Sequence, residues 1–207
     1  MGETSFRDER LGRFLERVAA KDPAPGGGAA AGVAAAMAAS LVAMAARFST
    51  NQLEDAQGLA EVADRLRERA LELADQDAAA YPEVRAAYRL PKEPDPDARR
   101  ARIKAALEHA TEIPLQIARA AAETAVLAQK LEDGGNPNLR GDAATATLLA
   151  GAAVRASAAL VELNVRFGKL EGDWLDRSAE LLATLGDARP NPALCRVMPV
   201  VRQNSAQ

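Results

Sequence analysis

Residues 23–48 read PAPGGGAAAGVAAAMAASLVAMAARF. Two prolines and three consecutive glycines cannot continue a helix, so the first six of these residues predict a turn. The alanine-rich remainder carries no charged side chain from Ala29 to Ala46 and has a high helix propensity. We therefore predict that a helix starts at the glycine turn and ends near Phe48.

The uncharged run from Ala29 to Ala46 just reaches the length of a membrane-spanning helix. Its side chains are mostly Ala, which favours insertion far less than Leu, Ile or Phe, and aromatic belt residues are missing from its ends. Small side chains instead let neighbouring helices approach closely on all sides. The run therefore predicts a buried helix at the centre of a helical fold.

Apolar residues recur at helical spacing on both sides of this helix, and alternation typical of strands is absent from the sequence. Asp95 with Pro96, and later Asp142, are placed to begin helices, and Pro114 falls inside one and should kink it. The flanking helices are predicted at about 5–20, 53–88, 96–131, 142–167 and 173–185, the second of them being one long helix or two stacked ones. The expected fold is an all-α, multi-helix bundle around the Ala-rich helix.

The composition limits the organisation and the partners of the chain. Its 207 residues suit one domain, expected at 1–186 and followed by a C-terminal tail at 187–207. A net charge of −3 provides no basic surface for a nucleic acid or an anionic membrane. The single Cys195 cannot form an internal disulfide, and the charged N-terminal segment does not resemble a secretory signal. We expect a cytoplasmic protein with a small-molecule or protein partner.

The glycine turn is a candidate anion site. Gly26, Gly27 and Gly28 precede a helix, where unpaired N–H groups and the helix dipole favour a carboxylate or phosphate. The simpler interpretation is that glycine permits a sharp turn and close packing.

Asp77 is a candidate catalytic acid. It falls between Leu73 and Tyr81 on the apolar stripe of its helix, whereas Asp75 falls on the opposite side. Burial there would raise the pKa of its carboxyl group toward the range useful for acid–base catalysis. Pro82 would leave the carbonyl of Ala78 without its usual donor nearby. Alternatively, Asp77 caps a second helix that begins near Pro82, or pairs with an arginine.

The loop before the fifth predicted helix is a second polar candidate. Asn136, Asn138 and Asp142 offer two amides and a carboxylate that suit hydrogen bonding to a polar heterocycle, although turn and cap chemistry also explains each of them. His109 lies off the apolar stripe and is expected at the surface. No second His or Cys accompanies it, so no metal site is predicted.

Five ordered blocks of the chain resemble one enzyme family. They are Pro23-Ala-Pro-Gly-Gly-Gly28 before the Ala-rich helix, Asp77-Ala-Ala-Ala-Tyr-Pro-Glu-Val84 leading to Leu90-Pro-Lys92, Ala110-Thr-Glu-Ile-Pro-Leu115, Gly135-Asn-Pro-Asn138 before Asp142, and Asn164. Together they resemble the cyclodeaminase/cyclohydrolase family, which includes the C-terminal half of formiminotransferase-cyclodeaminase and the methenyltetrahydrofolate cyclohydrolases.

The resemblance implies an all-α homodimer that acts on a tetrahydrofolate derivative without a tightly bound cofactor or a metal. It implies formiminotetrahydrofolate cyclodeaminase activity, which releases ammonia, or methenyltetrahydrofolate cyclohydrolase activity. Asp77 would be the general acid/base, and Asp142 the second catalytic residue. The residues implied near the substrate are Gly26, Gly27, Gly28, Lys92, Asn136, Asn138 and Asn164.

Four positions depart from the family pattern. Ala29 replaces a Ser, Ser49-Thr-Asn-Gln52 replaces a basic Gly-Lys-Lys-Tyr-like segment, Gly141 replaces a Ser, and Leu160 replaces the first Asn of an Asn-Val-x-x-Asn pattern. Lost polar partners weaken substrate binding and transition-state stabilisation. The alternative prediction is therefore a non-catalytic helical dimer that serves as a folate-binding or protein-interaction module.

Overall fold

A computed structural model of the chain describes residues 5–186. The regular elements of this part are helices, and none of its residues forms a strand, which confirms the predicted all-helical class. They are α1 (Leu11–Ala19), α2 (Gly27–Arg47), α3 (Ala56–Arg89), α4 (Pro96–Gly134), a short 3-10 turn (Pro137–Leu139), α5 (Arg140–Gly168) and α6 (Trp174–Thr184). The predicted tail at 187–207, with Cys195, lies outside the described residues.

The Ala-rich helix α2 packs against α3, α4 and α5. Ala38, Ala39 and Val42 on α2 are completely buried. A β-carbon added to Gly32 would lie 2.9 Å from the Ala74 Cβ, so α2 and α3 approach more closely than larger side chains would allow. The α2 helix and the segment Pro137–Gly168 are both long and apolar enough to cross a membrane. Of the most apolar stretch of α2, however, 61% is buried among the other helices. This enclosure is typical of a core helix.

Helix α3 is one continuous helix that passes through Pro82, so it is not two stacked helices. A proline in a helix interior removes one backbone hydrogen bond, but the long packed face of α3 against α2 and α4 holds the helix together. The interpretation of Asp77 as the N-cap of a second helix was therefore wrong. Asp95 does cap α4, because its carboxylate accepts a hydrogen bond from the Ala98 N–H at 2.9 Å.

Two local predictions were wrong. The first helix covers only Leu11–Ala19. Leu11, Phe14, Leu15 and Val18 recur in it at helical spacing, but only Phe14 is buried, against Phe6 at a ring-centroid distance of 5.1 Å. This short peripheral helix contacts the core through one side chain, so the spacing of its apolar residues predicted more buried positions than the structure has. Asp142 does not cap α5, because the preceding 3-10 turn runs directly into a helix that starts at Arg140. Asp142 lies instead in the first turn.

Candidate active site

A cleft of about 290 Å³ opens beside the N-terminus of α2. The glycine turn forms one wall, and residues of α3, α4 and α5 form the others. Its lining includes Pro23, Ala24, Gly26, Gly27, Gly28, Asp77, Ala80, Tyr81, Val84, Leu107, Ala110, Pro114, Leu160, Asn164 and Phe167. Among the described residues, Asp77 is the only carboxylate of this lining, and no Lys or Arg belongs to it. The fold thus brings together three of the predicted groups: the glycine turn, Asp77 and Asn164.

Asp77 lies directly over the start of α2. A β-carbon built on Gly28 would come 2.0 Å from Asp77 Oδ1 and 2.3 Å from its Cγ, so only glycine leaves room for the carboxylate. The backbone N–H of Ala29 donates a hydrogen bond to this carboxylate. The anion position predicted at the glycine turn is therefore occupied by a side chain of the same chain.

Burial raises the pKa of the Asp77 carboxyl above its ordinary value, because desolvation disfavours the charged form. The hydrogen bond from Ala29 opposes this effect but is the smaller of the two. A carboxyl group whose pKa is raised above its ordinary value, at the wall of an apolar cleft, is better suited than an exposed one to give and take a proton.

Asn164 has a structural partner within the cleft. Pro114 lacks an N–H and so leaves the carbonyl of Ala110, four residues earlier on α4, without its helical donor. The Asn164 Nδ2 group on α5 donates to that carbonyl at 2.9 Å. This bond uses only the Nδ2 group, so it fixes the Asn164 side chain without engaging its Oδ1 atom.

Tyr81 and Phe167 form the rim of the cleft, a role that spacing did not indicate. Tyr81 was placed on the apolar stripe of its helix, but it is 47% exposed, and Phe167 is 72% exposed. Phe167 contacts Tyr88 of α3 at a ring-centroid distance of 6.4 Å, and this contact joins α5 to α3 beside the opening. The spacing of apolar residues along a helix does not distinguish those that face a core from those that face a cleft.

The polar loop lies at the other end of α2. Asn136 Nδ2 donates to the Phe48 carbonyl at 3.0 Å, and the Asn136 N–H donates to Ser49 Oγ at 2.9 Å. Asn136 Oδ1 also accepts from the Asn138 N–H at 3.0 Å. The α2 helix of 21 residues is about 30 Å long, so within one chain this loop and Asp142 do not reach the cleft.

Lys92 is also outside the cleft. It lies exposed in the loop between α3 and α4, and it is not among the lining residues. Asp77 precedes Arg89, the last residue of α3, by 12 positions, a distance of about 18 Å along the helix axis.

Glu132 is a buried acid that the sequence did not single out. It lies near the C-terminal end of α4, where desolvation and then the neighbouring Asp133 raise its pKa, while Arg140 opposes the shift. The Arg140 Nε group donates to the Glu132 carbonyl at 3.1 Å and so ties the start of α5 to α4. The helical pattern around Glu132 gives no signal that its side chain turns inward.

A larger hollow of about 460 Å³ lies between α3 and α4, but its chemistry is weaker. Its polar groups are Glu83, Arg102 and His109, and all three are exposed. His109 Nδ1 lies 3.3 Å from Glu83 Oε2, which agrees with the surface position predicted for this histidine. Without a buried ionisable group, this hollow is a poorer candidate than the cleft at Asp77.

Comparison with known proteins gives three similarities that agree with one another. Residues 10–172 match a family described as formiminotransferase-cyclodeaminase. A methenyltetrahydrofolate cyclohydrolase from Methylorubrum extorquens is 34% identical over 167 residues, which cover 77% of this chain and 80% of that protein. The fold is similar to the crystal structure of a formiminotetrahydrofolate cyclodeaminase from Thermotoga maritima, with a TM-score of 0.79 at 25% identity, covering 88% of this chain and 92% of that one.

Proposed function

The chain belongs to the formiminotransferase-cyclodeaminase family, and we propose that within this family it is a methenyltetrahydrofolate cyclohydrolase. Its function is folate one-carbon chemistry of the cyclodeaminase or cyclohydrolase type, which its relative and its fold both indicate. The choice between the two reactions is our proposal. It follows the higher identity, 34% to the cyclohydrolase against 25% to the cyclodeaminase.

The observation that carries the proposal is the partly buried Asp77 in an apolar cleft, whose lining, as far as the structure describes the chain, holds no cation. The methenyl carbon of the substrate sits in a positively charged amidinium group, and a carboxylate in low dielectric attracts such a cation strongly. Apolar walls provide space for the flat pterin ring. The charge of the cleft therefore complements the charge of this substrate.

In the proposed reaction, the Asp77 carboxylate takes a proton from water while the water oxygen forms a bond to the methenyl carbon. Asp77 then returns that proton to the ring nitrogen as its bond to the carbon breaks. The hydroxyl group on the carbon loses its proton to solvent and becomes the formyl carbonyl. The balance is one water consumed and one proton released. Both transfers need a carboxyl group with a pKa near the working pH.

The other predicted residues take supporting roles in this proposal. Asn164 Oδ1 accepts a hydrogen bond from the pterin, since its Nδ2 group is engaged by Ala110. Lys92 holds the distal carboxylates of the folate from the α3–α4 loop. Asn138 and Asp142 orient the reacting part of the substrate, which requires their loop to reach a cleft. Asn136 supports that loop, because its amide is already bonded to Phe48 and Asn138.

The cyclodeaminase reaction is the second candidate, favoured by the similarity of fold to the Thermotoga maritima enzyme. Here the anilino nitrogen of the folate forms a bond to the formimino carbon and gives up its proton to the formimino nitrogen. Asp77 supplies a second proton to that nitrogen as its bond to the carbon breaks, so that it leaves as ammonia. The same acid in the same cleft serves both reactions. The non-catalytic helical module is not favoured, because the similarities are to folate enzymes.

An ultraviolet assay tests the proposal through the methenyl chromophore. With methenyltetrahydrofolate, we expect the purified chain to remove the chromophore and Asp77→Asn to do so about 10²–10⁴-fold more slowly. The control is Asp75→Asn, since Asp75 faces Ser5 and Phe6 on the other side of α3 and should leave turnover unchanged. Chromophore appearing from formiminotetrahydrofolate alone would identify the cyclodeaminase. No change with either substrate would contradict both reactions.

A further inference from the structure

Three side chains of α3 follow one another along the helix in the order carboxylate, aromatic ring, cation. Asp77, Tyr81 and Arg85 are spaced at intervals of four residues, so they share one side of the helix and extend over about 12 Å of its axis. The Arg85 Cζ atom lies 5.9 Å from the centroid of the Tyr81 ring, which is a cation–π contact. Because Tyr81 lines the cleft at its rim, this contact holds the Arg85 cation at the mouth of the cleft.

Within residues 5–186, Arg85 forms no ion pair with a carboxylate. Other arginines of α3 do form such pairs, as Arg67 does with Asp64 at 2.8 Å. The acid nearest to Arg85 in the sequence is Glu83, but residues two apart on a helix do not face each other, and the Glu83 carboxylate lies 3.3 Å from His109. The exposed Arg85 guanidinium is therefore available to an anionic group of a ligand.

The Arg85 cation does not neutralise the acid inside the cleft. Burial and the Ala29 N–H determine the direction in which the pKa of Asp77 moves, and Arg85 is too far away to contribute. Two opposite charges thus remain separate, a carboxylate in the cleft and a cation at its mouth. A ligand that matches both has a positive group at the Asp77 end, a flat apolar group in the middle and a negative group at the Arg85 end.

We infer that Arg85 binds the carboxylate of the folate tail that is nearest to the benzoyl ring, an inference that rests on the proposed function. In methenyltetrahydrofolate a benzoyl group and an amide join the amidinium to the glutamate, so the first carboxylate is about 10 Å from the reacting carbon in an extended tail. With the amidinium at Asp77, the benzoyl ring reaches Tyr81 and this carboxylate reaches Arg85. A guanidinium can hold a carboxylate through two parallel hydrogen bonds.

The same distances distinguish Arg85 from Lys92. Arg89, the last residue of α3, is about 18 Å from Asp77 along the helix axis, and Lys92 follows three residues later. Lys92 therefore lies beyond the first carboxylate of the tail, which leaves the outer carboxylate to it. Arg85 is the cation whose distance from Asp77 matches the first carboxylate.

The experiment compares methenyltetrahydrofolate with an analogue in which a neutral methylamide replaces the glutamate. The wild type should have a kcat/KM about 10-fold higher for the folate. Arg85→Gln should lose most of this preference through a higher KM for the folate at unchanged kcat, because a remote contact stabilises the bound substrate and the transition state equally. Arg85→Lys keeps the charge but not the two parallel hydrogen bonds, so it should keep part of the preference.

The matched control is Arg65→Gln, which removes the same charge from an exposed position of α3. Arg65 precedes Asp77 by 12 residues, so it lies about 18 Å from Asp77 in the direction away from Arg85. This variant should keep the full preference for the folate. Circular dichroism checks that all variants retain their helices.

Equilibrium dialysis separates this inference from the proposed reaction, because it needs no turnover. It measures the Kd of 5-formyltetrahydrofolate, which has the same tail, and of its methylamide analogue. If the wild type binds the folate more tightly and Arg85→Gln does not, the inference holds even where the methenyl chromophore never changes. Three results would overturn it: a wild type that binds both compounds equally or binds neither, an Arg85→Gln variant with the wild-type preference, or an equal loss in Arg65→Gln.

Discussion

The carboxylate of Asp77 occupies the space that a side chain on Gly28 would need. A β-carbon at Gly28 would lie 2.0 Å from Asp77 Oδ1, although the two residues are 49 positions apart in the sequence. The contact fixes a proton-transfer group at the start of a core helix, and it gives the third glycine of the turn a function that the first two do not share.

Gly28→Ala should therefore remove activity and lower stability. The added methyl group displaces the carboxylate, and overpacking of this kind costs about 1–3 kcal/mol. The control is Gly27→Ala, because a β-carbon there meets nothing within 4 Å. We expect that variant to gain stability by up to about 1 kcal/mol, so the sign of the change in stability distinguishes the two glycines. Chemical denaturation and the methenyl assay measure both effects, and equal losses in the two variants would show that the turn itself matters.

Asp77→Asn should be more stable than the wild type, and its advantage should grow as the pH rises. Burial raises the folded-state pKa of Asp77 above its unfolded value, so ionisation of this group favours unfolding. The wild type therefore loses stability as the pH rises from about 4, the ordinary value for Asp, through the raised value, and Asn removes that loss. Thermal unfolding of both chains from about pH 4 to about pH 8 should show a difference in Tm that widens with pH. A constant difference would contradict the raised pKa.

Asn164→Leu should destabilise the fold by about 1–3 kcal/mol, because the Ala110 carbonyl then has no donor. Pro114→Ala supplies a backbone N–H to that same carbonyl, so the double variant should recover part of the loss. The free energies of unfolding of the two single variants and the double variant form a cycle that isolates this coupling. Additive effects would mean that Asn164 does not compensate for the proline.

Mixing two inactive variants should restore activity if the chain forms the homodimer that the resemblance implies and each cleft uses residues of both chains. A dimer of one Asp77→Asn chain and one Asp142→Asn chain contains one intact site, with Asp77 from one chain and Asp142 from the other. Random exchange makes half of the dimers mixed, so the mixture should reach about a quarter of the wild-type rate. The separate variants, assayed at the same total concentration, are the control. A mixture no more active than its components would place both carboxylates in one chain.

The sequence predicted the helices well because each of them is a local pattern. The run from Ala29 to Ala46, the cap at Asp95 and the inward face at Asp77 can all be recognised from residues within a few turns. The first helix was overestimated because periodicity does not reveal how many of its positions touch a core. The start of α5 was misplaced because a 3-10 turn precedes it without a break.

Part of the cleft was predictable residue by residue, but its contacts were not. Asp77, Asn164 and the glycine turn were each selected from the sequence, while the pairing of Asp77 with Gly28 depends on packing between α2 and α3. The bond from Asn164 to the Ala110 carbonyl joins residues 54 positions apart. The separation of Asp142 from Asp77 also follows only from the antiparallel course of α2 and α5 in space.

The carboxylate at the start of α2 belongs to a side chain, so a substitution can remove it and a small carboxylic acid added to the solution can take its place. Shortening Asp77 to Ala would leave the helix N-terminus with an unfilled hollow the size of a small acid, and that hollow still favours negative charge. Added formate or acetate would enter it and act as a diffusible base in place of the missing group. The dependence of the rescued rate on the pKa of the added acid would then measure how far the proton has moved in the transition state.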